Sequence, residues 1–274
     1  MIGVAFDLSG TLVRGAGLER AAFLELLRRL SAEHGPAFDD ARAAEACAQA
    51  FTAEDERGPA QTALVEAANA FLGETAPARV LLSRFRQVAV QRIPNGAEPL
   101  PEARETLAHI ASLGIPCAIL TNGWSSLEQH KARGLGFTGP VLVSEDTGRR
   151  KPECAAFESL AAVLALPLDR IWFVGDDPYE DVTGAAQAGL HAIWLRPPGA
   201  PLPAGAAEPE HAIERIGEIL SLLSEPYTRS LLGLRYLLHS TLAWRQGHFI
   251  PGIEYGLNDP ASLTHVMPAR SDDG

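Results

Sequence analysis

Three short apolar runs are each followed by a side chain that could do chemistry. Asp7 comes directly after GVAF, Thr121 directly after CAIL, and Asp176 one glycine after IWFV. Lys151 follows another run, VLV, and is one of only two lysines in a chain whose other strong cations are arginines. Carboxylates, a hydroxyl and an ammonium group, if the fold brings them together, could bind a metal ion and an anion.

These runs have the length and composition of strands that are buried on both faces. A fifth run, AIWL, lies at 192–195, and helical patterns separate the last four runs. The alternation predicts an α/β fold with a doubly wound parallel sheet and helices on both of its faces. Because such sheets bind ligands outside the carboxyl ends of their strands, the polar side chains that follow the runs are expected at one edge.

At that edge, several carboxylates would repel one another unless a cation lay between them. Asp7 follows the first run, and both Asp176 and Asp181 follow IWFV. Hard carboxylate oxygens with room for water are the ligands that suit Mg²⁺. The sequence therefore predicts a Mg²⁺ site.

The remaining groups at the edge suit a phosphoryl group. The Thr121 hydroxyl, the Lys151 ammonium group and the amides of the Asn122-Gly123 turn could hold its oxygen atoms. Asp7 would then attack phosphorus and form an acyl phosphate. Positioning and charge neutralisation would supply most of the rate.

A long helical stretch interrupts the alternation of strand and helix. The pattern over 18–93 is almost purely helical, and glycine-proline pairs divide it into about four helices. We predict an inserted all-α domain at 15–95 and a core domain formed by 1–14 and 96–222. The apolar tail at 223–274 is predicted to be a helical extension, whose amphipathic helix could support a homodimer.

Composition narrows the range of partners. The net charge of −11 and the pI of about 5.2 argue against binding to nucleic acid or to an anionic membrane. The three cysteines show no disulfide or zinc pattern, which fits a reducing compartment. Met1 leads almost directly into the first run, and no apolar run is long enough to span a bilayer. We expect a cytoplasmic protein with a small substrate and with no nucleic-acid or membrane partner.

Four motifs in this chain resemble those of the haloacid dehalogenase superfamily. They are FDLSGTL, ILTNG, RRKPE and VGDDPYEDVTGAAQAG, in the order of that family and at its usual strand ends. The resemblance covers about residues 1–13 and 97–200. It implies a Rossmann-like core, a helical cap inserted after the first motif, and a hydrolase. Most members of the superfamily are Mg²⁺-dependent phosphatases that act through an aspartyl phosphate.

The resemblance also implies roles for single residues. Asp7 matches the nucleophile, and Thr121 and Lys151 match the pair that binds phosphate. Asp176 matches a Mg²⁺ ligand, and Asp181 matches either a further ligand or a partner for Lys151.

Ser9 departs from the pattern of the family phosphatases, because most of them have an aspartate there as general acid and base. The main-chain carbonyl of Ser9 can still bind the metal. The hydroxyl is far too weak an acid to replace a carboxylic acid, whose help is typically worth ~10²–10⁴-fold in rate. We therefore expect slow cleavage of poor leaving groups such as sugar alkoxides, and a smaller loss for acyl or aryl phosphates.

Asp177 has a structural interpretation. The run Asp177-Pro178-Tyr179-Glu180 has the form of a helix capping box, with Asp at the cap and Pro at the first helical position. The sequence leaves open whether Asp177 also binds metal.

Two other functions remain open. The first is a 2-haloacid dehalogenase, which would release halide without Mg²⁺, although GDDPYED carries paired acidic residues that dehalogenases lack. The second is a catalytically weak phosphate-binding or regulatory protein, suggested by Ser9 and by the apolar tail. The expected activity is that of a Mg²⁺-dependent phosphohydrolase acting on a small phosphorylated metabolite.

Overall fold

The core of the protein is a six-stranded parallel sheet. The computed structural model describes residues 2–14, 17–34, 37–51, 61–73, 75–93 and 97–223. The strands are β1 (Gly3–Phe6), β2 (Cys117–Thr121), β3 (Val141–Val143), β4 (Ile171–Gly175), β5 (His191–Leu195) and β6 (His211–Ile213). Their order is β3-β2-β1-β4-β5-β6, and all neighbours are parallel. The predicted doubly wound α/β sheet is confirmed.

The centre of the sheet explains the position of Asp7. All four residues of β1 are buried, which is why this strand reads as a continuous apolar run rather than an alternating one. Phe6 pairs with Ile119 of β2 on one side and with Val174 of β4 on the other. The strand order reverses at β1, so a crevice opens at its carboxyl end. Asp7 directly follows β1 and therefore lies at this crevice.

Helices precede or follow every strand from β2 onward. They are α5 (Ala103–Ser112), α6 (Ser125–Leu135), α7 (Ser144–Thr147), α8 (Cys154–Leu164), α9 (Gly184–Ala188) and α10 (Ile219–Leu222), with a π-helix at Pro178–Thr183 and 3₁₀ turns at Leu168–Arg170 and Ile216–Glu218. The sequence did not predict β6, because three residues after a proline-rich segment show no periodicity. Pairing with β5 decides the conformation of β6.

Four helices precede the second strand. They are α1 (Leu18–His34), α2 (Asp40–Ala50), α3 (Gln61–Leu72) and α4 (Ala78–Gln91). Their buried side chains form one apolar cluster, which also includes Trp124, directly before α6, and Leu127 of α6. The ring of Phe85 lies 5.2 Å from that of Trp124, and the Arg86 guanidinium group lies 5.0 Å from the same ring. The four helices thus pack on the sheet domain through α4, while the predicted domain boundaries remain predictions.

The predicted helical extension lies outside the described residues from residue 224 onward, as do its amphipathic helix and the predicted homodimer contact. Within the described part, no helix is long and apolar enough to cross a membrane. All three cysteines are free thiols.

Candidate active site

An ion-paired chain of three side chains lies at the carboxyl edge of the sheet. The Lys151 ammonium group donates to Asp7 Oδ1 at 2.5 Å and to Asp181 Oδ1 at 2.6 Å. The second oxygen of Asp181 accepts from the amide of Asp177 at 2.9 Å. Lys151 is thus the common cation of two carboxylates that follow different strands, β1 and β4.

Burial and charge together decide the protonation of this chain. Burial by itself would lower the pKa of Lys151, but the carboxylates of Asp181 and Asp7 outweigh it and hold that pKa above its ordinary value. Burial raises the pKa of Asp181 from 3.8 to about 7; Lys151 opposes the shift, whereas Asp7 and Asp176 add to it. Lys151 is therefore a cation at neutral pH, and Asp181 takes up a proton unusually easily.

Asp176 completes the carboxylate group. Its Oδ1 accepts a hydrogen bond of 3.0 Å from the Thr11 hydroxyl, and a Cβ atom on Gly10 would overlap with its carboxylate. Gly10 also has φ +95°, which favours glycine. The loop after β1 therefore lies directly against Asp176, and Gly10 is required both for its φ and for its lack of a side chain.

The carboxylates fit a divalent cation. One oxygen each from Asp7, Asp176 and Asp181 lie within 4.8 Å of one another. Oxygen ligands around Mg²⁺ lie at 2.0–2.1 Å from the ion, so opposite ligands are about 4.2 Å apart. Adjacent ligands lie closer still, at about 3 Å, so the three carboxylates would need to close by up to about 2 Å to share the ion. Their hard oxygen atoms and their mutual repulsion suit Mg²⁺.

The groups expected to hold phosphate lie beside this cluster, and each has a partner within the protein. The Thr121 hydroxyl donates to Glu128 Oε2 at 3.0 Å, and the Gly123 amide donates to the Ser144 hydroxyl at 3.1 Å. A bound phosphoryl group would have to take over these donors. The phosphate-binding roles of Thr121, Asn122, Gly123 and Lys151 remain predictions.

The side chain of Asn122 is hydrogen-bonded to the main chain of Lys151. Its side chain accepts from the Lys151 amide at 3.0 Å and donates to the Lys151 carbonyl at 2.9 Å. It also donates to Glu180 Oε2 at 2.8 Å. The side chain of Asn122 therefore clamps the main chain of Lys151 and fixes where its ammonium group can reach.

Asp177 caps the π-helix, as the sequence predicts. Its side chain accepts from the amides of Tyr179 and Glu180, and Pro178 occupies the first helical position. Among the described residues, the carboxylates that lie close enough together to share a cation are Asp7, Asp176 and Asp181.

A second buried lysine lies next to Ser9, and sequence reasoning missed it. Lys131 of α6 donates to the Ser9 hydroxyl at 2.9 Å, to Glu19 at 3.1 Å and to Glu128 at 2.7 Å. The rarity of lysine, which drew attention to Lys151, could have drawn it to Lys131 as well. The spacing of Glu128 and Lys131 also marks an ion pair on one face of a helix.

A comparison with known families identifies the chain. The model of the haloacid dehalogenase-like hydrolases matches residues 2–189. The chain belongs to this family. The predicted class of enzyme, a haloacid dehalogenase-like hydrolase, is thereby confirmed.

The hydrolase is similar to curated proteins with different substrates. It is 32% identical over 135 residues to the ribulose-1,5-bisphosphate 5-phosphatase of Halopiger xanaduensis, covering 46% of this chain and 56% of that one. It is 29% identical over 197 residues to the phosphoglycolate phosphatase of Pectobacterium atrosepticum, covering 70% and 79%. The chain thus spans about half the length of the first relative and most of the second.

The fold is also similar to that of solved structures. A 2-haloacid dehalogenase from Pseudomonas syringae superposes with a TM-score of 0.61 at 24% identity, covering 82% of this chain and 99% of that one. This similarity shows the shared fold.

Proposed function

We propose that the hydrolase is a Mg²⁺-dependent phosphohydrolase that acts through an aspartyl phosphate on a small phosphorylated metabolite. The observation that carries the proposal is the convergence of Asp7, Asp176 and Asp181 to within 4.8 Å, with Lys151 bound to the first and the third. Similarity to named phosphatases along much of the chain supports the same conclusion.

The charge of the site favours a cation-dependent reaction on an anion. Two groups of charged side chains lie here, with five carboxylates and two ammonium groups in all. The first is Asp7, Asp176 and Asp181 with Lys151, and the second is Glu19 and Glu128 with Lys131. A phosphate dianion would be repelled by such a site unless a further cation were bound. Mg²⁺ held by Asp7, Asp176, Asp181 and the Ser9 carbonyl would supply that positive charge.

The chain's own residues account for the two chemical steps. Lys151 holds Asp7 Oδ1, so the other oxygen of Asp7 attacks phosphorus while the bond from phosphorus to the leaving oxygen breaks. The leaving oxygen keeps the bonding electrons and takes a proton from solvent. Water then attacks the same phosphorus, which releases phosphate and restores the Asp7 carboxylate. Thr121 and Lys151 would hold the phosphoryl oxygens through both steps.

The test is phosphate release from acetyl phosphate, with Mg²⁺ and with a chelator. We expect release with Mg²⁺ and a return to background in the chelator. Because Ser9 cannot protonate a leaving alkoxide, we expect an alkyl phosphate to react at least about 10²-fold more slowly than acetyl phosphate. Equal rates on the two substrates would contradict the role given to Ser9, and release in the chelator would contradict the role given to the metal.

Metal binding can be measured without activity. Between about pH 4 and pH 7 the folded protein holds on Asp181 a proton that the unfolded chain has released, so this group favours folding less as pH rises. Above about pH 7 the carboxylate is ionised and free to bind a cation, whereas below it a cation must displace the proton.

We therefore expect millimolar Mg²⁺ to raise Tm by roughly 4 °C at about pH 8, and by about half as much at about pH 6. Asp176→Asn should abolish the shift, because it replaces one of the three carboxylates. Asp40→Asn is the matched control, since its exposed carboxylate pairs only loosely with Arg28 at 3.6 Å. A shift that is larger at the lower pH would contradict this prediction.

A 2-haloacid dehalogenase is the second candidate, and the fold is shared with one. Such an enzyme would release halide from a 2-haloacid in the presence of a chelator. We expect no halide release above that of Asp7→Asn. A metal-independent release that needs Asp7 would replace the phosphatase proposal with this one.

A further inference from the structure

Lys131 occupies a closed ionic cluster outside the phosphate site. It is 1% exposed, and its neighbours Glu19 and Glu128 are 7% and 2% exposed. Glu19 lies in the first turn of α1, Glu128 and Lys131 lie on α6, and Ser9 belongs to the loop that follows Asp7. The cluster therefore joins the inserted helices, the sheet domain and the loop of the expected nucleophile at one point.

The hydrogen-bond donors of Lys131 are all used within the protein. An ammonium group has three donors and no acceptor. The three donors of Lys131 are used by Ser9 Oγ, Glu19 Oε1 and Glu128 Oε1. In this arrangement, the influence of Lys131 on the reaction passes through these partners.

The same count decides what Ser9 can do. A hydroxyl has one donor and two acceptor lone pairs. Among the described residues, Lys131 is the hydrogen-bond partner of the Ser9 hydroxyl, and it approaches as a donor. Ser9 must therefore accept from Lys131, and its own proton remains available for another oxygen atom. Only Leu8 separates Asp7 from Ser9 in the chain, so this hydroxyl belongs to the same loop as the proposed nucleophile.

Lys131 also acts on the neighbouring carboxylates. Glu128 Oε2 accepts from Thr121, one of the residues expected to hold phosphate. Without the Lys131 cation, the negative charge of Glu128 would lie against a bound phosphoryl group. The ammonium group thus offsets a repulsion at Thr121 while it orients Ser9.

We propose that Lys131 is a positioning residue that turns the Ser9 hydroxyl into a fixed donor to the leaving oxygen of the substrate. The inference rests on the proposed phosphohydrolase function. Ser9 then stabilises the departing oxygen by a hydrogen bond that is oriented before the reaction, without transferring its proton. The polarised donor partly replaces the help that a carboxylic acid would have supplied.

A double-mutant cycle on kcat tests this coupling. With acetyl phosphate and Mg²⁺, we expect Ser9→Ala and Lys131→Met each to lower kcat about tenfold with little change in KM. Because both changes remove the same donor, the double variant should lie within about twofold of the single variants. Both losses should be larger with an alkyl phosphate, whose leaving oxygen needs the donor more.

Arg86→Met is the control for a purely structural contact. Arg86 forms an ion pair with Glu145 between α4 and α7 and does not touch Ser9. Any effect of this variant on kcat should multiply with that of Ser9→Ala. The inference would be overturned if the effects of Lys131→Met and Ser9→Ala on kcat multiplied. It would also be overturned if the loss of kcat were the same with acetyl phosphate as with an alkyl phosphate.

Lys131→Met leaves two buried glutamates without a cation and can prevent folding. The variant Lys131→Met with Glu19→Gln and Glu128→Gln keeps the volume and removes every buried charge of the cluster. The effect of Ser9→Ala on kcat is then measured in this triple variant. It is compared with the effect of Ser9→Ala in the double variant Glu19→Gln with Glu128→Gln, which retains Lys131. If the wild-type protein releases no phosphate that depends on Asp7, the proposed function fails and takes this inference with it. If the release of phosphate does depend on Asp7, and the effects of Lys131→Met and Ser9→Ala multiply, the role of Lys131 is refuted while the proposed function stands.

Discussion

Asp7→Asn is expected to lower phosphate release by at least about 10³-fold, because an amide cannot attack phosphorus to form the acyl phosphate. The substitution keeps the shape of the side chain, and Lys151 keeps Asp181 as its partner. We therefore expect the variant to fold. The measurement is kcat with acetyl phosphate and Mg²⁺, beside circular dichroism of the folded protein.

The matched control is Asp40→Asn, which makes the same chemical change at an exposed carboxylate. It should retain wild-type kcat. A folded Asp7→Asn variant with more than about a tenth of the wild-type rate would rule out Asp7 as the nucleophile.

Lys151→Met should cost both activity and stability. It removes the cation that lies between the buried carboxylates of Asp7 and Asp181. Breaking a buried ion pair typically costs about 3–5 kcal/mol, because the remaining charge has no partner. We expect a loss of that order in the free energy of unfolding without metal, and a fall in kcat of about 10³-fold or more. Urea unfolding and phosphate release measure the two effects.

The double variant Lys151→Met with Asp181→Asn separates the loss of stability from the loss of activity. It removes both the cation and one of its carboxylates, so it should recover much of the stability while remaining inactive. Mg²⁺ should also stabilise Lys151→Met more than wild type, since the metal takes over part of the lost positive charge. A Lys151→Met variant as stable as wild type would show that the ion pairs of Lys151 contribute little to folding.

The strands and the edge of the site could be predicted from local features. β1, β2, β4 and β5 are apolar runs because parallel strands in this sheet are buried on both faces. Their carboxyl ends must meet at one edge in any doubly wound sheet, which brings Asp7 and Asp176 together. The role of Asp177 as a helix cap could likewise be predicted, because capping depends on residues that are close in sequence.

Contacts between distant segments could not be predicted in this way. Glu19 and Lys131 are separated by 112 positions, and Ser9 and Lys131 by 122. Neither periodicity nor a local motif records such pairs. The short strand β6 could not be predicted for the same reason, since only its pairing with β5 defines it.

The sequence by itself determined the α/β sheet, the family motifs and the order in which the carboxylates, the hydroxyl and Lys151 meet its edge, because these follow from burial and chain direction. Only the tertiary structure decided which atoms are partnered. It assigned the side chain of Asn122 to the main chain of Lys151 and the Ser9 hydroxyl to Lys131. Burial among other charges, rather than residue type, raised the pKa of Asp181 to about 7. The physical reason is that hydrogen-bond partners and desolvation depend on three-dimensional proximity, which the spacing of residues along the chain does not encode.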